Sequence, residues 1–473
     1  MPNLHDLPAD ILRDIFSACE PRALTETCHY FSTVVYSLPQ FSNIYIGPRQ
    51  LDPHLLRSRL GRISTSLLVV SIGPIAADIV ESPLVESICT LLAELSSEIN
   101  QLEISAETAL AAGSLLSGIF SGFAKPAMTF PKLQRLSVQV KLEYFGDYTP
   151  AWPQLDLVLE HAAENFPELQ ILSLSDFFEC IPALHGTPPF SNLHTLILDG
   201  SCAGQGMCAR PIIALLHNTP ILETLWIKHP IGFHSIIASG SEFKKSPVVV
   251  LSCLASLTVS SPGSSGLLHY IVAPALRDLH VDASRDPYSW DDGFSFWKNM
   301  GIRAMTNALS SLARWSTNLR RLAITALYLR EEDWNWLMFS GPPFPRLESL
   351  AIHGLKSTLE DSQVECAFND SLLLRCSEYQ GPMISLHRLA VLNCDLPLTG
   401  SVLIKALMSR LNGSPREGFE LELDDKGPQF SEEEVGTLAQ VGVKLIRRTE
   451  GEVKEDEWWK HGHGIDPSDA HAY

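Results

Sequence analysis

A short apolar motif that recurs along the chain restricts the possible folds more than any other feature of the sequence. The motif reads Leu-x-x-Leu-x-(Leu/Ile/Val), and its first leucines lie 22 to 43 residues apart. A single compact core needs no such rhythm, whereas an array of similar stacked units does. The nine copies are Leu133/Leu136/Val138, Leu169/Leu172/Leu174, Leu193/Leu196/Leu198, Leu222/Leu225/Ile227, Leu254/Leu257/Val259, Leu276/Leu279/Val281, Leu319/Leu322/Ile324, Leu347/Leu350/Ile352 and Leu386/Leu389/Val391. Two looser copies, Leu67/Val70/Ile72 and Ile99/Leu102/Ile104, precede them.

Each motif predicts a short strand that follows a helix. Its last three residues alternate apolar-x-apolar, which is the period of a strand with one buried face. Apolar residues at helical spacing predict a helix over 155–166, and a second is predicted over 211–217. A proline, which cannot continue a helix, stands two residues before the first leucine in five copies. These prolines are Pro131, Pro167, Pro220, Pro274 and Pro345.

The repeated unit has one apolar face, so neighbouring units must stack to bury it. Each buried leucine contributes roughly 1.5–3 kcal/mol to such a stack. Between residues 67 and 447 the motifs resemble those of leucine-rich-repeat proteins, although only Asn393-Cys394 matches the Asn or Cys that usually follows the strand. The resemblance implies an α/β fold: an irregular solenoid with a curved, mostly parallel sheet and outer helices. An ordinary α/β domain with leucine-rich strands is the alternative.

The first fifty residues do not fit the repeat. Leu7, Ile11 and Ile15 lie four residues apart, which places them on one face of a helix. Pro8 suits the first turn of that helix. A second helix with apolar residues at spacings of four and three is predicted over 24–38, and a strand over 41–47.

This region resembles an F-box. The matching words are Leu7-Pro8-x-x-Ile11-Leu12-x-x-Ile15-Phe16, Cys28-His29-Tyr30-Phe31 and Leu38-Pro39-x-Phe41. The whole chain is similar to fungal F-box proteins with leucine-rich repeats, in which a small all-α box docks on a Skp-type adaptor of a cullin ubiquitin ligase. The adaptor-binding residues implied by the resemblance are Leu7, Pro8, Ile11, Leu12, Ile15 and Phe16. Judged from the residues alone, this apolar stripe also fits ordinary core packing.

The sequence therefore predicts three segments. Residues 1–48 are the F-box-like module, 49–448 the solenoid and 449–473 a disordered, charged tail. At the end of the solenoid we expect a strand over 419–423, a helix opened by a Ser431/Glu434 capping box and ended by Gly442, and a last strand over 443–446.

Charge and cysteine usage limit the classes of partner and the compartment. The chain carries 35 Lys and Arg against 54 Asp and Glu, a net charge of −19, so nucleic acid is not an expected partner. No apolar stretch is long enough for a membrane span, and Asp6, Asp10, Arg13 and Asp14 interrupt any signal-peptide pattern. The 10 cysteines include no Cys-x-x-Cys pair. We expect a cytoplasmic or nuclear protein without a membrane partner.

No motif argues for catalysis, a cofactor or a metal. Gly204-Gln205-Gly206 lies between a predicted strand and helix, as a dinucleotide fingerprint would, but Lys228-His229 stands where the acidic ribose ligand is expected. His461 and His463 lie in the tail without further ordered ligands. The sequence predicts that the chain is not an enzyme.

If the motif leucines face the core, the residues between them face the opposite side of the sheet, where a target protein would bind. The predicted target-binding residues on that side are Trp226, Lys228, Asp278, His280, Asp282, Arg321, His353 and Arg388. The aromatic insertion at 287–297 is either a recognition loop or a cap on its own unit.

Taken together, the resemblances imply the substrate-recognition subunit of an SCF-type (Skp-cullin-F-box) ubiquitin ligase. Its box would hold the Skp-type adaptor, and its repeats would hold a target protein. The alternative is a leucine-rich-repeat scaffold that binds a protein without any ligase link.

Overall fold

The computed structural model describes only part of the chain, in two compact units. The units comprise Met1–Asp199 and Gly200–Tyr473. The described residues are 43–47, 68–75, 83–120, 128–140, 165–175, 190–199, 209–228, 248–260, 265–282, 309–325, 329, 331–338, 344–355, 368–378, 385–394, 396, 398–411, 418–425 and 427–448. The predicted box helices, the glycine loop at 204–206, the aromatic insertion and the tail lie outside these ranges.

The first unit contains a parallel sheet whose strands follow one another in chain order. Helix α2 packs against β3 and β4, and α1 packs against α2. The described elements are β1 (Asn43–Ile46), β2 (Leu68–Ile75), α1 (Pro83–Leu95), β3 (Ile99–Ala106), α2 (Ala109–Phe120), β4 (Arg135–Val140), β5 (Ile171–Ser175) and β6 (Thr195–Asp199).

The second unit continues the same pattern. Its strands are β7 (Thr224–Lys228), β8 (Val249–Val250), β9 (Ser256–Ser260), β10 (Ile271–Val272), β11 (Asp278–Asp282), β12 (Arg321–Thr325), β13 (Ser349–His353), β14 (Arg388–Leu392), β15 (Phe419–Asp424) and β16 (Val443–Arg448). Its helices are α3 (Ala209–His217), α4 (Ser265–Leu268), α5 (Glu331–Met338), α6 (Asp370–Glu378), α7 (Gly400–Leu411) and α8 (Glu432–Gln440). Strands β8 and β10 form a separate two-stranded sheet, and the other strands pair in parallel.

The motif residues stack on one another in register, as the sequence predicts. Leu136 pairs with Leu172 in the first unit, and Leu350 pairs with both Leu322 and Leu389 in the second. Leu172, Leu322 and Leu350 are completely buried. Each unit therefore has a stacked α/β arrangement with a parallel sheet, which is consistent with a solenoid-like leucine-rich-repeat fold.

A tight turn places the first leucine of eight of the nine motifs. The amide of Leu169 donates to the carbonyl of Phe166 at 3.1 Å, and that of Leu347 to Phe344 at 3.2 Å. Equivalent bonds form at Leu133, Leu193, Leu222, Leu254, Leu276 and Leu319. Where a proline is present it occupies the second position of this turn, for which its fixed φ is suited.

The turn changes the interpretation of the prolines. They were expected to stop a helix, but Pro274 follows the short strand β10, so that expectation is wrong for this copy. The proline selects the turn, whatever element precedes it. Phe130 and Phe166 begin two such turns; they are buried, and their ring centroids lie 6.0 Å apart. The Phe-Pro-x-Leu sequence is thus a fuller form of the repeat signal than the leucines alone.

Polar side chains of Asn and Ser link successive repeats. The side-chain amide of Asn192 donates to the Pro167 carbonyl at 2.7 Å, and that of Asn318 donates to the Pro274 carbonyl at 2.8 Å. Ser385 donates to the Pro345 carbonyl at 3.2 Å. Asn192 and Asn318 each occupy the third position of one turn and donate to the second position of the preceding turn.

The elements predicted for the end of the repeat region are confirmed. The Ser431 hydroxyl accepts from the Glu434 amide at 3.2 Å, and the Glu434 carboxylate accepts from the Ser431 amide at 2.8 Å. Gly442 follows α8 with a φ of 81°, and β15 and β16 form where the alternation places them. The predicted helix at 211–217 is α3, with Pro211 in its first turn.

Replacing Leu350 with alanine should destabilise the second unit, because Leu350 stacks on two neighbouring motifs. The expected loss is about 2–5 kcal/mol in the free energy of unfolding, measured by urea titration followed by circular dichroism. Val435, which is 40% exposed on α8, provides the control: its replacement by alanine should change the free energy by less than about 0.5 kcal/mol. Equal effects of the two changes would contradict the register stacking.

The cysteines should differ in reactivity. Burial raises the pKa of the Cys89 thiol to about 11, whereas Cys253 is exposed. With iodoacetamide at pH 8, peptide mapping by mass spectrometry should show Cys253 modified at least about tenfold faster than Cys89 in the folded protein, and at a similar rate in urea. Equal rates of modification of the two cysteines in the folded protein would contradict the burial of Cys89.

The same burial makes stability depend on pH. The folded chain keeps the Cys89 proton between pH 9.0 and about 11, where the unfolded chain releases it. Cys89 therefore lowers the free energy of unfolding as the pH rises through that range.

Candidate functional site

The candidate site is the side of the second unit's sheet opposite the motif leucines, which we call the polar face. Successive side chains of a strand point to opposite sides, so the residues between the motif leucines share this face. The first row of the polar face is Thr224, Ser256, Asp278, Arg321, Ser349, Arg388, Glu420 and Lys444. The middle row is Trp226, Thr258, His280, Ala323, Ala351, Ala390 and Glu422. The third row includes Asp282, Thr325 and His353.

The middle row is buried, which the sequence did not indicate. Trp226 is 2% exposed and His280 is 7% exposed, so the expectation that these two side chains are open to a partner is wrong. The alanines of this row form a buried cluster with Leu392. Each middle-row residue has neighbouring strands roughly 4.8 Å away on both sides and lies between the first and third rows. Longer side chains of those rows and strands therefore shield it from water.

Asp278 and Arg321 form an ion pair across neighbouring strands. Nε and Nη2 of Arg321 donate to the two carboxylate oxygens of Asp278, which gives a two-pronged contact. The Asp278 side chain is 11% exposed and that of Arg321 is 41% exposed. The pairing explains the low exposure of Asp278, because its carboxylate is turned toward the guanidinium. Arg321 remains accessible, and its role in binding a target stays a prediction.

Glu422 holds two arginines at once. Nη2 of Arg388 donates to Oε2 of Glu422 at 2.5 Å, and Nε of Arg448 donates to Oε1 at 2.7 Å. The Glu422 side chain is 3% exposed, whereas Arg388 and Arg448 are 29% and 22% exposed. Glu422 thus joins the arginines of the strands on either side of it, and Glu420 and Asp424 are in register with the same two arginines. Sequence reasoning identified Arg388 but missed Glu422 and Arg448, although the alternation in Phe419–Asp424 places Glu422 on this face.

The remaining predicted residues flank these ion pairs. Nε2 of His280 lies 3.0 Å from the Thr325 hydroxyl, a contact that joins the middle and third rows. Thr325 is in register with both Asp282 and His353, and these two are half-buried. Lys228 ends β7, and its side chain lies outside the described atoms. The structure thus brings together Asp278, Arg321 and Arg388 in one row, with His280 beside them.

Arg447 anchors the last strand from the motif-leucine side, where it is in register with Leu423. Its guanidinium donates to the Asp424 carbonyl at 2.9 Å and lies 5.3 Å from the centre of the Phe430 ring. Burial lowers the pKa of Arg447 below its usual value. The Asp424 carboxylate accepts from the backbone N–H of Asn393, and this bond fixes the end of β14 against β15.

The corresponding side of the first unit has fewer charges. Its strands present half-buried Gln101, Glu103, Ser137 and Ser173, and the Ser71 hydroxyl donates to Glu103 at 3.0 Å. Among the described residues, the paired arginines and acids are concentrated on the second unit. Within those residues, no group of three His, Cys, Asp or Glu side chains is placed to hold a metal ion. No helix in the described ranges is long and apolar enough to cross a membrane.

Comparisons with known proteins do not assign a family. No protein-family model matches the sequence, and no curated protein matches it. Among solved structures, the chain is similar to one described as the crystal structure of the Rad7 and Elc1 complex in yeast. The likeness covers 83% of this chain and 88% of that chain, at 14% sequence identity and a TM-score of 0.38. At that TM-score the likeness carries no conclusion about fold, partners or activity.

Removing both arginines that hold Glu422 should cost far more than removing either one. In the single variants Arg388→Ala and Arg448→Ala, the buried carboxylate keeps one partner. In the double variant it is buried without compensation, and the expected loss is about 3–5 kcal/mol in the free energy of unfolding, measured in urea. Lys444→Ala is the control, because it breaks an exposed pair with Glu420 that contributes about 0–1 kcal/mol. Additive single effects would contradict the shared carboxylate.

Proposed function

We propose that the chain is the substrate-recognition subunit of an SCF-type ubiquitin ligase. Its amino-terminal residues bind a Skp-type adaptor, and through it a cullin, while the polar face binds a target protein. Leu7, Ile11 and Ile15 supply the apolar adaptor surface in this proposal, together with Leu12, Phe16 and Pro8. The chain works in the cytoplasm or nucleus.

The observation that carries the target-binding half is the row of ordered, partly exposed charges on a rigid sheet. The arginines of the polar face are held by carboxylates from neighbouring strands, so their positions are set before a partner arrives, which lowers the entropy lost on binding. Arginine is also enriched among the residues that dominate interface energies. Strands roughly 4.8 Å apart give the second unit's eight-stranded sheet a breadth of about 34 Å, enough for roughly ten residues of extended chain.

The adaptor-binding half is supported by the sequence alone. A spacing of four residues places Leu7, Ile11 and Ile15 on one helical face, and the words around them resemble an F-box. These residues lie outside the described ranges, so their role in binding stays a prediction.

The proposed role requires no chemistry from this chain. A receptor that holds a target beside the bound ligase accelerates ubiquitin transfer by proximity and orientation. We therefore propose that the chain is not an enzyme and uses no cofactor.

The adaptor link should depend on the apolar stripe. Replacing Ile11 and Ile15 with aspartate puts two charges on the proposed contact surface and should abolish co-purification of a Skp-type adaptor. The control variant carries the same two charges at Val248 and Val250, which are 50% and 58% exposed and distant in sequence from the box. That variant should retain the adaptor, and both should keep the parent's far-ultraviolet circular dichroism.

Deletion of residues 1–48 separates this function from that of a scaffold without a ligase link. A receptor loses the adaptor on deletion but still captures its target through the remaining chain. If the intact protein never brings down a Skp-type adaptor, and deletion changes no partner, the ligase link is wrong and the scaffold function replaces it.

A further inference from the structure

Exposed large hydrophobic side chains are concentrated in three successive repeats of the second unit. Within the described residues five such side chains are exposed, and three of them, Val248, Val250 and Trp315, are 50%, 58% and 57% exposed. The other two, Tyr45 and Val435, lie in β1 and α8. A group of exposed apolar side chains on a folded protein marks a candidate contact surface.

The backbone places Val250, Val272 and Trp315 at one position of three neighbouring repeats. Each directly precedes the first residue of the turn that begins a leucine motif. Val250 and Val272 pair in register between β8 and β10. The Ser316 hydroxyl donates to the Ala273 carbonyl at 3.0 Å, which holds the next turn, and Trp315 with it, beside that pair. With repeats roughly 4.8 Å apart, the three residues span about 10 Å.

Two further residues widen this row. Val249 and Ile271 are buried, whereas Val248 is exposed and Tyr270 is half-buried, as alternation along two paired strands requires. The backbone N–H of Val249 donates to the Tyr270 carbonyl at 2.7 Å, so the two widening residues lie on adjacent chains. The resulting surface, which we call the outer patch, comprises Val248, Val250, Tyr270, Val272 and Trp315.

The fold does not require apolar residues at this position. In other repeats with the same turn, the residue before it is Thr129, Asn165 or Asn218. The turn and the register form in those repeats as well. The outer patch is therefore a local property of three repeats and not a consequence of the repeat motif.

The charges around the outer patch are positive, although the whole chain carries −19. The three repeats are described over 248–260, 265–282 and 309–325, and their only acids there are Asp278 and Asp282 of the polar face. Arg277, Arg314 and Arg320 are exposed in the same ranges.

The flanking repeats do not cancel this charge. Glu348 lies 3.5 Å from Arg320 and offsets it, and Glu223 is exposed one repeat before β8. Arg346, which is also exposed, adds a positive charge beside Glu348 in the following repeat. Among the described residues there are thus four arginines against two glutamates: Arg277, Arg314, Arg320 and Arg346 against Glu223 and Glu348.

We propose that the outer patch binds an amphipathic helix of a second protein, with an apolar face flanked by acidic residues. Helix positions i and i+7 lie about 10.5 Å apart, which matches the row from Val250 to Trp315. Acidic side chains beside the apolar face meet Arg314 and Arg277. A second copy of this chain fits less well, because it would bring two positive surfaces together. The inference goes beyond the proposed function, since the outer patch shares no residue with the polar face or the box.

The test uses the full-length chain and a fluorescein-labelled synthetic helix with leucines at i, i+3, i+4 and i+7 and glutamates on both flanks. Binding is followed by fluorescence anisotropy at low ionic strength. Trp315→Ala should weaken binding at least about tenfold, because it removes the largest side chain of the outer patch. Arg314→Gln should weaken it about threefold, the effect of one exposed ion pair, and should have no effect at about 1 M salt.

Val250→Ser and Val435→Ser are a matched pair. Both valines are exposed, but Val435 lies on α8, outside the outer patch. Val250→Ser should weaken binding about fivefold through lost apolar contact, and Val435→Ser should bind as the parent does. Both variants and Trp315→Ala should keep the parent's midpoint of urea unfolding, because the replaced side chains are exposed. A loss of binding therefore reports on the outer patch and not on the fold.

Four results would overturn the inference. They are no binding of the peptide by the parent chain at about 1 mM, equal binding of a peptide with lysine at every glutamate position, and equal weakening by Val250→Ser and Val435→Ser. The fourth is dimerisation of the parent, or its binding to phosphatidylserine vesicles, that Trp315→Ala abolishes while peptide binding persists. A second copy or a lipid surface would then replace the helix.

The proposed ligase link fails separately from the outer patch. The variant with aspartate at Ile11 and Ile15 should bind the peptide as the parent does. Trp315→Ala should still co-purify with a Skp-type adaptor.

Discussion

The structure depends on the turn that precedes the strand in eight of the nine leucine motifs. The amide at the first leucine closes the turn by bonding three residues back, and the following strand then lies in register with its neighbours. Once that register is set, every motif leucine falls beside another leucine, and every intervening residue falls in a row on the opposite face. The core and the polar face are thus two results of one backbone constraint.

Much of this arrangement can be predicted from the sequence because its signals are local. The apolar alternation predicts the strands, and Ser431 with Glu434 predicts the start of α8. The exposure of individual side chains cannot be predicted in this way. Trp226 and Asp278 lie on the expected face but are buried, because exposure depends on neighbouring strands that are far apart in the sequence. Glu422 escaped notice for the same reason: its partners come from β14 and β16.

The polar face combines order with local variety. Its ion pairs run between adjacent strands. Each guanidinium is therefore fixed by a residue from a neighbouring repeat and not by a residue of its own loop. Between the two pairs the first row contains only a serine, and the middle row contains alanines. A surface built in this way carries fixed charges at set intervals.

The bonds between turns have a consequence for how such a chain can change. They join Asn192 to the Pro167 carbonyl and Asn318 to the Pro274 carbonyl without involving the segments in between. A connecting segment can therefore lengthen or shorten while these bonds stay intact, which is compatible with an interval between motifs that is nearly twofold longer in some repeats than in others. Insertions in these segments offer a way to diversify recognition while the scaffold is inherited unchanged.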